Sequence, residues 1–231
     1  MKGALGAILL LVVAGEAQSP ITYRLEAVKS KVVVTHAGQE RRARVDDVAE
    51  AGDELRTGWL GRATVAVPER ASRFEIHAST RVRLAGGEPG VLVIVERGRL
   101  KAIFDALTGN DERLVATPGA LLAVRGTRYG IEVDAQGNGT LAVFEGTVEV
   151  RPLDALQPRL LVGVGEICQF GPAIPPRRQA MPQGMSENGW DQGGARREVQ
   201  GPPGNEGGEP GRQPGPGNPP AQRPAGAGGK H

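Results

Sequence analysis

Apolar and polar residues alternate along much of the chain between residues 29 and 170. In residues 73–78 every second side chain is apolar, and similar alternation recurs in residues 63–67, 129–133 and 160–164. Successive side chains of a β-strand point to opposite faces of a sheet. The period of two therefore predicts a series of strands with one buried and one exposed face.

Residues 91–95 are apolar throughout, which predicts a strand that is covered on both faces. Turn-forming residues recur at intervals typical of short strands, at 37–39, 86–90, 108–111 and 136–139. Apolar residues do not keep a helical spacing over three turns anywhere between residues 29 and 170, and the best helical candidate is the short stretch 45–51. We therefore predict an all-β fold, an antiparallel sandwich of jelly-roll type, with a short β-solenoid as the alternative.

The two ends of the chain differ in composition from this central part. Residues 1–17 combine one lysine with an apolar run of about a dozen residues, which is typical of a secretory signal peptide cleaved after Ala17. In residues 173–231, 25 of the 59 positions are Gly or Pro, which predicts a disordered tail. The prediction is thus a signal peptide at 1–17, a β domain at 18–172 and a disordered tail at 173–231.

These boundaries predict an exported protein, periplasmic or at the cell surface or secreted. The apolar run of the leader is too short for a stable membrane span, so we expect none to remain after cleavage. Cys168 is the only cysteine, which excludes an intramolecular disulfide and predicts a small buried side chain.

The net charge of the chain is +2, and the segment 173–231 carries it, with seven basic and five acidic residues. The central part is therefore formally neutral. Nucleic-acid binding that depends on counterion release needs a concentration of basic charge on the folded part, so we expect no nucleic-acid partner.

An ordered set of motifs accompanies the strands. It consists of Gly-Asp-x-Leu-x-Thr-Gly at 52–58, an alternating strand at 63–67, Gly98 between two apolar runs, Thr-Pro at 117–118, Val-Arg-Gly-Thr at 124–127 and Glu-Gly-x-Val at 145–148. In this order and spacing the set resembles the FecR domain over about residues 30–170. The resemblance implies an exported, β-rich, jelly-roll-like domain. The residues that carry it are Gly52, Asp53, Thr57, Gly58, Gly98, Thr117, Pro118, Arg125, Gly126, Thr127, Glu145 and Gly146.

Most of these residues are expected to have structural roles. Gly58 and Gly98 are predicted to need a positive φ that a β-carbon would hinder. Asp53 is predicted to cap its own turn through a carboxylate oxygen. Arg125 lies either at a strand end in water or against a carboxylate such as Asp53, with direct contact to a ligand or partner as the other interpretation. In one departure from the family, residues 68–72 replace an Asp-Gly-Ser type of turn.

The sequence offers no recognisable catalytic or metal-binding set. His36, His77 and His231 are far apart and have no companions at the spacing of metal ligands, so we predict no metal, cofactor or catalytic residue and no enzyme activity. The acidic and amide residues at 134–138 alternate as in a calcium loop, but the segment lacks the closing glutamate and is predicted to be a hairpin turn.

Basic residues outnumber acidic ones between residues 69 and 101. An ordinary solvated face explains this excess, and a mildly basic sheet face that meets an anionic glycan is the alternative. The basic residues are Arg70, Arg73, Arg81, Arg83, Arg97, Arg99 and Lys101.

The hypothesis for function is a non-enzymatic exported β domain that binds a protein or an envelope polymer, with envelope signal sensing as one role. The best-known members of the FecR family pass signals to a sigma factor through a cytoplasmic region and one membrane span. The sequence shows neither, so we do not expect that mechanism to transfer. The alternative is a structural or surface-display protein whose β domain acts as a spacer or assembly unit.

Overall fold

The computed structural model describes residues 21–85, 89–105, 112–124 and 126–192. Within these residues the chain forms seventeen strands, one 3₁₀ turn and one short helix. The strands are β1 (Tyr23–Lys29), β2 (Val32–His36), β3 (Gln39–Arg42), β4 (Val48–Ala49), β5 (Glu54–Thr57), β6 (Arg62–Val67), β7 (Ser72–Ile76), β8 (Arg81–Leu84), β9 (Val91–Phe104), β10 (Arg113–Ala116), β11 (Ala120–Val124), β12 (Arg128–Val133), β13 (Gly139–Glu145), β14 (Thr147–Pro152), β15 (Leu160–Gly163), β16 (Glu166–Gly171) and β17 (Ile174–Ala180). The 3₁₀ turn is Pro68–Arg70 and the helix α1 is Glu187–Gln192.

The strands form two layers that share one strand. Layer A has the order β4, β1, β6, β7, β9, β12, β13, β16, β17. Layer B has the order β3, β2, β5, β8, β9, β10, β11, β14, β15. Both layers are open at their edges, and the chain passes repeatedly from one to the other. The predicted all-β, jelly-roll-like sandwich is confirmed.

The long strand β9 joins the layers because it bends at Gly98. Its first half pairs with β8 and β10 in layer B, and its second half pairs with β7 and β12 in layer A. Gly98 has φ +99°, and a β-carbon there would lie 2.5 Å from Thr80 Cα, so only glycine fits this bend. One pairing departs from the antiparallel prediction, since β9 and β10 run parallel.

The main hydrophobic core lies between the two layers. Layer A contributes residues such as Phe74 and Tyr129, and layer B contributes residues such as Leu55 and Leu122. Val93 and Val95 of β9 face this core, whereas Val91 belongs to a second, smaller cluster with Leu114 and Ala116. Residues 91–95 are therefore covered on both faces, as their continuous apolar run predicts.

A third apolar cluster covers the outer face of layer A. Trp190 of α1 is 1% exposed and packs on Ala142 of β13 and Ile167 of β16. A β-carbon on Gly130 in β12 would lie 2.2 Å from the Trp190 ring, so the glycine leaves the room that the indole fills.

The predicted boundary of the β domain at residue 172 is wrong. Strand β17 pairs with β16, and α1 follows it, so residues 173–192 are ordered parts of the domain. The high Gly and Pro content of the whole segment concealed these ordered elements. The backbone hydrogen bonds between β16 and β17 and the burial of Trp190 in α1 stabilise them against the entropy lost on ordering. Residues 193–231 of the predicted tail and residues 1–17 of the predicted signal peptide lie outside the described residues.

The predicted helix is wrong, whereas two of the predicted turns are found in the structure. Residues 45–51 contain β4 rather than a helix, because Val48 and Ala49 pair with β1. The predicted turns at 37–39 and 136–139 connect β2 to β3 and β12 to β13. Most residues of the other two predicted turns, 86–88 and 108–111, lie outside the described part of the chain.

Candidate functional site

The motif at 52–58 begins with a capped turn. Asp53 is 4% exposed, and its Oδ2 accepts a hydrogen bond from the Glu50 N–H at 3.0 Å. Its Oδ1 lies 2.6 Å from His36 Nδ1. This hydrogen bond and the Asp53 charge raise the pKa of His36 above its ordinary 6.5. The carboxylate thus faces His36, and Arg125, which the sequence offered as its partner, lies outside the described residues.

The end of the same motif is tied to the bend of β9 through two threonines. Thr57 Oγ1 donates to the His77 carbonyl at 2.5 Å and accepts from the Thr80 N–H at 2.9 Å. Thr80 Oγ1 in turn accepts from the Arg99 N–H at 2.9 Å. Gly58 does not have the predicted positive φ; instead a β-carbon there would lie 3.3 Å from Lys31 Cβ.

A groove of about 330 Å³ opens beside this junction. We call it the Trp59 groove. Its walls include Lys31, Arg56, Trp59, Ser79, Arg81 and Arg97. Trp59 follows the motif directly and is 80% exposed, and its neighbour Leu60 is 56% exposed. A large apolar side chain in water beside a concave surface is typical of a binding site.

Positive charge dominates the lining of the Trp59 groove. Arg56 pairs with Glu40, and it also lies 3.3 Å from Glu54, which Arg81 approaches at 3.4 Å. Lys31 and Arg97 are exposed and make no ion pair with any residue in the described part of the chain. The groove therefore presents two cations that form no ion pair within the described residues.

A second groove of about 420 Å³ adjoins the first at Ser79 and Arg97. It continues along the bend of β9, past Gly98 and Arg99, to Glu132 and Asp134. The two grooves are thus neighbours that share Ser79 and Arg97 at the place where β9 changes layers. Asp134 also holds the β12–β13 hairpin turn, where its Oδ1 accepts from the Gln136 N–H at 2.8 Å.

A cluster of charged side chains lies on the outer face of layer A, under α1. Lys101 is 5% exposed, and its Nζ lies 2.9 Å from Glu75 Oε2, 2.9 Å from Asp191 Oδ2 and 3.5 Å from Glu187 Oε1. Burial alone would lower the pKa of Lys101, but the hydrogen bonds from Nζ to Glu75 and Asp191 outweigh it and raise the pKa.

His77 is the buried neighbour of this cluster, with 2% exposure and no hydrogen bond to either ring nitrogen within the described residues. Burial, and next the charges of Arg99 and Arg62, lower its pKa to about 4. Ligand atoms of Glu75, His77 and Asp191 lie within 4.8 Å of one another, as in a metal site. The Lys101 ammonium already lies 2.9 Å from both carboxylates and offsets one of their two charges, so the geometry favours an ion-pair network around Lys101 over a metal ion.

The remaining motif residues lie in two other places. Thr117 Oγ1 donates to the Ala120 carbonyl at 2.8 Å, and Pro118 packs near Gly137. Gly126 and the buried Thr127 lie against Gly146, whose β-carbon would meet the Gly126 carbonyl at 2.5 Å. These contacts join strand ends and form no common site. Glu145 is exposed, with Arg128 at 3.8 Å.

The basic residues between 70 and 101 do not share one face. Arg81, Arg83 and Arg97 lie in layer B, where only Arg81 and Arg97 line the Trp59 groove. Arg73 and Lys101 lie on neighbouring strands of layer A, and Lys101 is covered by α1. The alternative of a single basic sheet face is therefore wrong, because β9 carries its two halves into different layers.

Sequence reasoning missed Lys31 and Trp59 as site residues. The exposure of Trp59 could have been expected from the sequence, because its side chain directly follows the Thr-Gly turn at 57–58 and turns lie at the surface. The sequence contained no such signal for Lys31, which reaches the groove only because β2 pairs with β5.

The sequence of the central part matches a known family. Residues 53–149 match the family model described as FecR protein, a shorter stretch than the predicted 30–170. The chain therefore contains a FecR domain. No curated protein matches the chain.

Two solved structures are similar to the chain. One is a crystal structure of a Parabacteroides distasonis protein provisionally described as an anti-sigma factor, with a TM-score of 0.50, 17% identity, and coverage of 61% of this chain and 64% of that one. A second structure from the same organism with the same description has a TM-score of 0.46, 15% identity, and coverage of 55% and 59%. The chain thus spans less than two thirds of either protein, and the first likeness concerns the fold alone. Among the described residues, no helix has the length and apolar character needed to cross a bilayer.

Proposed function

We propose that this protein is an exported, non-enzymatic binding domain that takes part in envelope signal sensing. Export is supported by the leader-like composition of residues 1–17. Signal sensing is supported by the FecR domain at 53–149 and by the description of the first similar structure.

The observation that carries the proposal is the exposure of Trp59 at the mouth of a groove. An exposed indole contributes little to folding, and buried tryptophans are among the residues that contribute most to binding at interfaces. The turn that bears Trp59 is held on both sides, because the Gly58 N–H donates to the Lys31 carbonyl at 2.8 Å and the Ser79 N–H donates to the Gly58 carbonyl at 3.0 Å. A backbone turn that is fixed before binding loses less entropy on binding.

The geometry of the titratable groups supports binding rather than catalysis. His36 is paired with Asp53, and His77 is buried beneath the outer face of layer A, so neither lines the Trp59 groove. The described lining of the groove offers arginine, lysine, serine and threonine side chains, which suit recognition.

The test is retention of envelope components by the immobilised protein. We expect the wild-type protein to retain a component of fractionated envelope extract, and Trp59→Ala to weaken retention at least tenfold. Leu156→Ala is the matched control, because Leu156 is 94% exposed and lies in the loop between β14 and β15. Equal retention by wild type and Trp59→Ala, or no retention by either, would contradict the proposal.

A further inference from the structure

The Trp59 groove has the charge of a site for an anion. Its lining includes four cations, Lys31, Arg56, Arg81 and Arg97, and one carboxylate, Glu40. Opposite charge attracts an anionic ligand most strongly where the cations lack partners of their own, as Lys31 and Arg97 do in the described part of the chain. The ligand should therefore carry negative charge along the groove.

The exposed Trp59 indole places a second requirement on the ligand, which must offer a group that can contact the ring. The face of an indole ring is electron-rich, and it attracts flat groups that present partly positive C–H bonds. The C–H face of a sugar ring has this character. A simple inorganic anion would leave Trp59 without a contact.

The polar side chains of the groove match a ligand rich in hydroxyl groups. Arg56 with Glu40, and Arg81 with Glu54, place donors and acceptors side by side. A hydroxyl group both donates and accepts, so such pairs can satisfy it. Single-stranded nucleic acid binds by stacking successive bases on several aromatic rings, and the described lining of the two grooves has Trp59 as its aromatic side chain.

The neighbouring second groove favours a ligand longer than the Trp59 groove, such as a polymer. Ser79 and Arg97 line both grooves, so a chain that lies on Trp59 can extend past Arg97 along the bend of β9. There Glu132 and Asp134 favour contact with its hydroxyl groups and not with its carboxylates. We propose that this surface binds an acidic polysaccharide, with a sugar ring on Trp59 and carboxylates at Lys31 and Arg97. The inference rests on the proposed binding function and names its ligand class.

The experiment measures binding of the purified full chain to carboxylated polysaccharides by titration calorimetry. The probes are polygalacturonate, alginate, hyaluronate and chondroitin, with dextran as the neutral polymer, and oligothymidylate and polyglutamate as other polyanions. We expect binding to at least one carboxylated polysaccharide, weaker binding as salt rises, and no binding to dextran.

The variants locate the site. Trp59→Ala and the double variant Lys31→Ser/Arg97→Ser should each weaken polysaccharide binding at least tenfold. The double variant Arg159→Ser/Arg177→Ser removes the same charge near β15 and β17, at the far edges of both layers, and should leave binding within twofold. Circular dichroism and the thermal midpoint confirm that each variant is folded.

Three results would overturn the inference: binding to none of the four carboxylated polysaccharides, tighter binding to oligothymidylate or polyglutamate, or equal losses in both double variants. If no polysaccharide binds but retention of an envelope component still depends on Trp59, the ligand class is wrong and the binding function stands. If retention is also independent of Trp59, both fail.

Discussion

The pKa values of His36 and His77 are shifted in opposite directions because their surroundings differ. The hydrogen bond to Asp53 raises the pKa of the exposed His36, whereas burial lowers the pKa of His77 to about 4. The alternation in residues 73–78 predicts that His77 faces water, and this prediction is wrong, since His77 is 2% exposed. The depth of His77 depends on Thr57, which holds its carbonyl, and on α1, which covers it.

The first prediction concerns the stability of the protein in acid. The unfolded chain takes up a proton on His77 below about pH 6.5, and the folded protein does so only near pH 4. Folding should therefore lose stability as the pH falls from 6.5 to 4, by up to about 3 kcal/mol from this residue. Urea unfolding at pH 7 and pH 4.5 measures the loss.

The control for this prediction is His77→Gln, which is neutral at both pH values. The variant should lose less stability between the two pH values than the wild type, whatever its stability at pH 7. NMR titration should find the pKa of His36 above 6.5 in the wild type. In Asp53→Asn the pKa of His36 should return to near its ordinary value. Equal acid sensitivity of wild type and His77→Gln would contradict the burial argument.

At the scale of elements, α1 combines an apolar anchor with an ion-pair network. Trp190 fills the room above Gly130, and the edge of its ring contacts Phe144 at 6.2 Å between centroids. The same helix turn carries Asp191 to within 2.9 Å of Lys101 Nζ. Docking of α1 thus covers Lys101 and places Glu187 and Asp191 beside its ammonium group.

The second prediction tests this docking. Gly130→Ala places a β-carbon 2.2 Å from the Trp190 ring, so the indole must leave its site. We expect a loss of roughly 1–3 kcal/mol and a red shift of Trp190 fluorescence, measured in a Trp59→Phe background that removes the exposed indole. Gly163→Ala is the matched control, because its β-carbon would meet only Glu166 Oε2 at 3.6 Å. Similar spectra for the two variants would show that Trp190 does not depend on Gly130.

At the scale of the whole molecule, one core serves both layers. Leu55 of layer B and Cys168 of layer A belong to the same buried cluster. Burial raises the pKa of the Cys168 thiol to about 11, so the native protein holds it as an unreactive thiol. Its reaction with a thiol reagent therefore reports unfolding.

The third prediction is that the layers unfold together. Leu55→Ala should cost about 2–5 kcal/mol and lower the urea concentration at which Cys168 becomes reactive, although the two residues lie in different layers. Leu156→Ala, at an exposed position, should leave that concentration nearly unchanged. Reaction of Cys168 at an unshifted urea concentration in Leu55→Ala would mean that the layers unfold independently.

The sequence by itself determined the β-rich class, the strand run at 91–95, the turn at 136–139 and the FecR domain, because alternation, turn chemistry and motif spacing are local properties of the chain. The tertiary structure decided which faces the arginines occupy, that β9 serves both layers, and that residues 173–192 are ordered. Those features depend on pairing between strands far apart in sequence. Lys31 and Arg97 approach one groove, and Lys101 meets Asp191, only when such long-range pairing is complete.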